Sequence, residues 1–82
     1  MNEPVEYKYF SVNPQPRKPG RKTREYFIVN KSQGVRLAVI KWYGAWRQYC
    51  FFPSPDAETV WNAGCLTDVQ DFLKRLKEEK PR

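Results

Sequence analysis

The chain has 82 residues, of which 40% are hydrophobic and 16% aromatic, and its formal net charge is +6. This length gives one small domain, and no apolar run approaches the ~20 residues that a bilayer-spanning helix needs. The absence of histidine removes the commonest proton shuttle at neutral pH, and two cysteines alone cannot build an ordinary four-ligand zinc site. We therefore expect a protein that is not an enzyme and needs no cofactor or metal.

Residues 1–24 are predicted to be an N-terminal segment that precedes the main domain. Residues 5–12 are β-branched and aromatic with partial alternation, which indicates either a strand or an extended lead-in. Residues 13–24 contain three prolines and one glycine, and this composition predicts an irregular loop. We call residues 13–24 the basic arm because they hold five cations and no acid: Arg17, Lys18, Arg21, Lys22 and Arg24.

The main domain is predicted over residues 25–79, with residues 80–82 as a frayed tail. Residues 25–73 hold four bases and five acids, so most of the positive excess lies in the basic arm. Residues 26–29 are typical of a strand. Residues 31–34 then predict a hairpin loop in which Gly34 supplies a positive φ.

Residues 35–52 predict a second hairpin that is rich in aromatic side chains. A two-residue loop of Gly44 and Ala45 suits a type II′ turn and would pair Tyr43 with Trp46. Arg47 would then lie opposite Trp42, where a cation–π contact can form. Both faces of this hairpin are substantially apolar, so one is expected to meet a helix. The other is either covered by another segment or used for binding.

The last predicted elements are a short strand over residues 59–61 and a C-terminal helix. Thr67 and Gln70 match a capping box at the start of this helix. One helix face carries an apolar stripe of Val69, Phe72, Leu73 and Leu76. The predicted fold class is α+β: a curved antiparallel sheet of three or four strands, a β-hairpin meander, packed on one C-terminal helix.

Two regions are candidates for function. The basic arm can neutralise phosphates, but it can also be a solvated loop or a contact for an acidic protein. Residues 41–47, called the aromatic tip, can stack on bases, anchor a protein interface or form a corner of the core. The predicted nucleic-acid-binding residues are Arg17, Lys18, Arg21, Lys22, Arg24, Trp42, Tyr43, Trp46 and Arg47.

Cys50 and Cys65 are expected to be reduced, because the N-terminus lacks the features of a secretory signal. Cys50 lies in an apolar strand and is predicted to be a small core residue.

Three stretches carry a resemblance to known sequences: residues 42–53, with the pattern W-x-x-x-W-R-x-Y-x-F-F-P; residues 59–61, T-V-W; and residues 65–73, C-L-x-D-V-x-x-F-L. In these stretches the chain resembles small uncharacterised proteins of bacteriophages and prophages. The resemblance implies a phage or mobile-element origin and no particular activity.

The function expected from these observations is that of a small phage-type accessory protein in the cytoplasm of the bacterial host. It would bind nucleic acid through the basic arm and the aromatic tip. The alternative is a protein-interaction module that binds or inhibits a host protein. In that case the second apolar face of the hairpin would be the docking surface, or the interface of a homodimer.

Overall fold

The computed structural model describes residues 3–55 and 60–78 of the chain. Five strands form one antiparallel sheet in which each strand pairs with the next along the chain. The strands are β1 (Val5–Glu6), β2 (Phe10–Pro14), β3 (Tyr26–Asn30), β4 (Arg36–Tyr43) and β5 (Gln48–Pro53), and they precede helix α1 (Ala63–Glu78). The predicted α+β meander with one C-terminal helix is therefore confirmed, with five strands in place of three or four.

The two additional strands come from the N-terminal segment. Residues 5–14 form β1 and β2, joined by a turn in which the amide of Tyr7 donates to the carbonyl of Phe10 at 2.9 Å. Phe10 and Val12 alternate with less buried neighbours and are fully buried, as expected for a strand with one face on the core. The segment before residue 24 thus contributes to the same sheet as residues 25–53.

The core lies between one face of the sheet and the apolar stripe of α1. Its buried side chains are Phe10, Val12, Tyr26, Ile28, Ala38, Ile40, Cys65, Val69, Phe72 and Leu76. The predicted stripe is confirmed, since three of its members are buried and Leu73 packs against the core. We call this side of the sheet the core face and the side turned away from α1 the open face. Cys50 lies on the open face and is only half-buried, so its predicted place in the core was wrong.

The β4–β5 hairpin has a different register from the predicted one. Tyr43 pairs with Gln48 and Trp42 pairs with Tyr49, so the loop comprises residues 44–47 instead of Gly44 and Ala45 alone. The amides of Trp46 and Arg47 donate to the carbonyls of Tyr43 and Gly44, each at 3.2 Å. Because strand side chains alternate with a period of two, this two-residue slip leaves residues 38–43 and 48–52 on their predicted faces. Leu37, predicted on the same face as Val39, packs against the core instead, because the pairing of β3 with β4 shifts register between Ile28 and Val29. The slip does separate Arg47 from Trp42, so the predicted cross-strand pair was wrong.

Helix α1 begins five residues earlier than predicted. The side-chain oxygen of Asn62 accepts the amide of Cys65 at 2.8 Å, which is N-cap geometry. Thr67 lies inside the helix, where its hydroxyl donates to the carbonyl of Ala63 at 2.9 Å. The predicted cap at Thr67 was therefore wrong, because the helix has already begun at Ala63 with Asn62 as its N-cap.

The predicted strand over residues 59–61 is not formed by Val60 and Trp61, and Thr59 lies outside the described residues, as does the predicted frayed tail. The ring of Trp61 instead packs edge-on against Phe51 at 5.0 Å and Phe10 at 6.2 Å. Within residues 3–55 and 60–78, no helix has the length and apolar character needed to cross a bilayer.

A polar contact joins the β1–β2 turn to α1. The hydroxyl of Tyr7 donates to Oδ2 of Asp71 at 2.7 Å, and the same oxygen lies 3.1 Å from Nε of Arg75. Burial, and then the hydrogen bond to Asp71 and the negative charge of its carboxylate, raise the pKa of Tyr7 well above its ordinary value of 10.0. The neutral phenol is thus the form that this contact requires.

Candidate nucleic-acid interface

The basic arm runs from the end of β2, which includes Asn13 and Pro14, through residues 15–24 of the connection to β3. At its base the amide of Gln15 donates to the carbonyl of Glu25 at 2.8 Å and so extends the strand pairing. At its far end the amide of Arg21 donates to the carbonyl of Lys18 at 3.1 Å, and Gly20 has a φ of 80°. Pro19 followed by a glycine with positive φ is typical of a type II β-turn. The arm is therefore a turn-ended loop that projects from the sheet.

The cations of this arm face solvent. Arg17, Lys18, Arg21 and Lys22 are exposed, and Arg24 is half-buried. Ion pairs between described residues join Lys31 to Glu6 and Arg75 to Asp71, and neither includes a cation of the arm. The positive charge of the arm is thus available to an anion from outside the chain.

The aromatic tip is also exposed. Trp46 is 66% exposed, and Trp42, Tyr43 and Arg47 are likewise at the surface. The rings of Tyr43 and Trp46 meet edge to face at 5.2 Å. This exposure contradicts the interpretation of the tip as a corner of the core. It leaves the stacking and protein-anchor interpretations in place.

Two series of ring contacts connect the tip to the rest of the sheet. On the open face Trp46 contacts Tyr43, which contacts Phe52 at 6.1 Å. On the core face the series is Trp42 to Tyr49 at 5.5 Å, Tyr49 to Tyr26 at 5.9 Å, and Tyr26 to Phe72 at 5.2 Å. The tip rings are therefore held by packed neighbours, which lowers the side-chain entropy that a ligand must remove.

The sheet topology places the basic arm and the aromatic tip at the same end of the molecule. In an antiparallel meander, alternate connections lie at the same end, and the arm follows β2 while the tip follows β4. Neighbouring strands are ~4.8 Å apart, so the centres of these two connections are separated by about 10 Å in the plane of the sheet. The structure thus brings together the two sets of residues that the sequence predicted separately.

Comparison with known proteins supports a phage origin. The chain is 32% identical over 62 residues to an uncharacterised 9.3 kDa protein of Acholeplasma phage L2, with 76% of this chain and 77% of the phage protein aligned. The chain belongs to this family of small phage proteins. The predicted resemblance to uncharacterised phage proteins is thereby confirmed. No family model matches the sequence, and no solved structure matches it.

Sequence reasoning missed part of the surface next to the tip in this member of the phage family. The side chain of Lys41 lies over the ring of Phe52 at 4.8 Å, and that of Arg36 lies over Phe27 at 4.8 Å. All four residues are on the open face. Alternation along β4 and β5 indicated that Lys41 and Phe52 share a face, but Arg36 reaches that face only through the register shift between Ile28 and Val29, which the sequence did not indicate.

Proposed function

We propose that this phage-family protein is a non-enzymatic accessory protein that binds nucleic acid, acting in the cytoplasm of the bacterial host. The basic arm contacts phosphates and the aromatic tip stacks on bases. The observation that carries the proposal is the common position of arm and tip at one end of the sheet. A ligand that touches one of them is within reach of the other.

The charge of the arm supplies the first part of the affinity. Lys and Arg side chains that replace condensed counterions on a phosphate backbone gain free energy from the ions released. The arm offers five such side chains in one loop, and its two ends are fixed by β2 and β3. An anchored loop loses less conformational entropy on binding than a free tail does.

The rings of the tip supply the second part. Base–aromatic stacking is worth about 1–3 kcal/mol per base and tolerates different bases, because every base has a π-face. Trp46, at 66% exposure, presents more than half of its surface to a ligand. The neighbouring Tyr43 holds the indole by an edge contact at 5.2 Å. Binding with little sequence preference is therefore expected.

The test is a salt titration of binding to a fluorescein-labelled oligothymidylate, followed by fluorescence anisotropy. If all five arm cations contact phosphates of a single strand, affinity should fall about a hundredfold between about 50 mM and about 200 mM NaCl. Affinity that stays constant over this range would contradict the proposal.

A matched pair of variants separates the arm from overall charge. Arg21→Gln with Lys22→Gln removes two cations from the arm, and Lys74→Gln with Lys77→Gln removes two exposed cations from α1. The arm variant should lower the slope of log affinity against log salt by about 1.4, since each single-strand phosphate contact contributes about 0.7. The α1 variant should leave the slope nearly unchanged.

A protein partner in the host is the second candidate, favoured by the apolar side chains on the open face. Pull-down from nuclease-treated host lysate distinguishes the two. One protein recovered in stoichiometric amount would support the second candidate. Loss of all partners after nuclease treatment would support nucleic acid.

A further inference from the structure

We propose that the open face of the sheet is the track for a single-stranded nucleic acid, with bases on its rings and phosphates beside Arg36 and Lys41. The inference rests on the proposed function and adds the form of the ligand and its path. The strand enters between the basic arm and the aromatic tip. It then crosses β5, β4 and β3.

The strand register aligns apolar side chains in a row across this face. Phe27 pairs with Val39 and Val39 pairs with Phe52, so the three side chains are direct neighbours on three adjacent strands. Each is half-buried, and none belongs to the core that α1 covers. Asn13, which pairs with Phe27, gives the row a polar end on β2.

Cations lie over both rings of this row. The guanidinium of Arg36 is 4.8 Å from the ring centre of Phe27, and the ammonium of Lys41 is 4.8 Å from that of Phe52. A base that stacks on either ring displaces a long side chain outward, towards the phosphates of the same strand. The arrangement combines stacking and charge in the way that sequence-tolerant single-strand binding requires.

The acidic residues of this face are few and already close to cations. Among the described residues, strand alternation places two acids on the open face: Glu6, which pairs with Ser11, and Glu25, which precedes β3. Glu6 is in an ion pair with Lys31 at 3.1 Å. Glu25 lies at the base of the basic arm. The charge of the face therefore complements a polyanion.

The ring contacts make this face continuous with the tip. Trp46, Tyr43 and Phe52 follow one another at 5.2 and 6.1 Å, so a strand stacked at the tip is directed onto the open face. The rings of Tyr49 and Phe51, on the other side of β5, pack against the core and offer no equivalent path.

The ligand is single-stranded because this surface presents flat rings. Rings on a sheet can stack only on bases whose faces are free, and a duplex covers those faces with neighbouring base pairs. A duplex would reach the arm cations but leave the row Phe27, Val39 and Phe52 without a stacking partner.

The thiol of Cys50 provides a probe on the track. Cys50 is the cross-strand partner of Lys41 and is half-buried on the open face, whereas Cys65 is 8% exposed on the side of α1 that faces the sheet. The experiment alkylates the full chain with N-ethylmaleimide and measures the rate at each thiol by mass spectrometry of chymotryptic peptides, which separate Cys50 from Cys65. It compares free protein, protein saturated with oligothymidylate, and protein saturated with a duplex of equal length.

We expect oligothymidylate to slow alkylation of Cys50 by fivefold or more, with little effect of the duplex and none on Cys65. If binding is sensitive to salt but the alkylation rate of Cys50 does not change, the nucleic acid does not cross the open face. That result would contradict this inference but not the proposed function. Equal protection by duplex would overturn the single-strand assignment. If the alkylation of Cys50 slows as the protein concentration rises without nucleic acid, the open face binds a second copy of the chain, and this inference is wrong. Absence of binding to either nucleic acid would contradict the proposed function itself.

Paired tyrosine variants test the track without relying on thiol reactivity. Tyr43 is 38% exposed beside Phe52, and Tyr9 is 48% exposed in the β1–β2 turn at the opposite end of the sheet, with Lys8 over its ring at 5.2 Å. Tyr43→Leu should weaken oligothymidylate binding about tenfold, which is within the range for loss of one base stack. Tyr9→Leu should change it less than twofold. Equal effects of the two substitutions would overturn the proposed path.

Discussion

At the scale of single residues, Arg47 combines an unusual backbone conformation with a place in the aromatic tip, the candidate binding loop. Its φ of 54° is the one positive value at a non-glycine residue in the part of the chain that the structure describes. For an L-residue the left-handed region costs about 1–2 kcal/mol. Such conformations persist only where the surrounding structure fixes them, and they occur often at binding sites. Arg47 closes the hairpin loop of the aromatic tip and presents its charge there.

Arg47→Gly should therefore stabilise the protein and weaken its binding. Glycine relieves the φ strain of the folded loop, but it also gives the unfolded chain more backbone entropy. The net effect should be a rise of about 0.5–1 kcal/mol in the free energy of unfolding. Loss of the cation should lower affinity for oligothymidylate. Urea unfolding and anisotropy measure the two effects. Arg47→Lys, which keeps the charge and the strain, is the control, and a destabilised glycine variant would contradict this account of the loop.

This loop also shows what single residues could not indicate in advance. Gly44 followed by Ala45 meets the requirements of a two-residue turn, and no sequence rule assigns a left-handed conformation to an arginine. The register was therefore predicted two residues away from its true position. Apart from Leu37, which the register shift between β3 and β4 moves to the core side, the two faces were nevertheless predicted correctly, because the slip is an even number of residues.

At the scale of secondary-structure elements, α1 illustrates a competition between two capping signals. Thr67 and Gln70 match a capping box, while Asn62, Ala63 and Gly64 are typical of a turn. The structure places the N-cap at Asn62, so Gly64 lies within the first turn of the helix. The apolar stripe identified the helix because periodicity depends on many residues. The position at which the helix begins depended on one side chain, that of Asn62.

Substitutions at the two candidate caps should have opposite effects. Asn62→Ala removes the acceptor for the amide of Cys65 and should lower the free energy of unfolding by about 1 kcal/mol. Thr67→Ala replaces a helix-interior residue by the best helix former and should be neutral or stabilising by a few tenths of a kcal/mol. Both are measured by urea unfolding. The reverse order would show that the helix begins at Thr67 in solution.

At the scale of the whole molecule, the arrangement of the candidate interface depended on strands that the sequence left ambiguous. Residues 5–12 were either a strand or a lead-in, so the basic arm was predicted to precede the domain. Once β2 is part of the sheet, the arm becomes a connection between two strands. Its position beside the aromatic tip then follows from the strand order. The residues of the candidate interface could be proposed from the sequence, but their position at one end of the sheet depends on the number of strands that precede β3.

The Tyr7–Asp71 contact ties the first turn to the helix across 64 positions of sequence, and its contribution should depend on pH. The folded-state pKa of Tyr7 is raised above its ordinary value of 10.0. The contact therefore contributes its full stability below about pH 10 and loses it as the pH rises further, because the unfolded phenol ionises first. Tyr7→Phe should lower the free energy of unfolding by about 1 kcal/mol at pH 7.

Urea unfolding between pH 7 and pH 11 checks this expectation. The difference between the wild-type protein and Tyr7→Phe should narrow above about pH 10. Tyr9→Phe, at the exposed ring two residues away, should change the free energy of unfolding at pH 7 by less than about 0.5 kcal/mol. A Tyr7→Phe effect that stays constant throughout the alkaline range would contradict the proposed role of the phenol proton.

The order of the strands also has a consequence for synthesis on the ribosome. Each hairpin can close as soon as its second strand has emerged, because no strand waits for a distant partner. The 16 residues of α1 follow all five strands. A nascent chain that has completed its sheet therefore exposes Phe10, Ile28 and Ile40 to solvent until α1 has emerged and docked on them. Docking of α1 ends the interval in which the chain is most prone to aggregate.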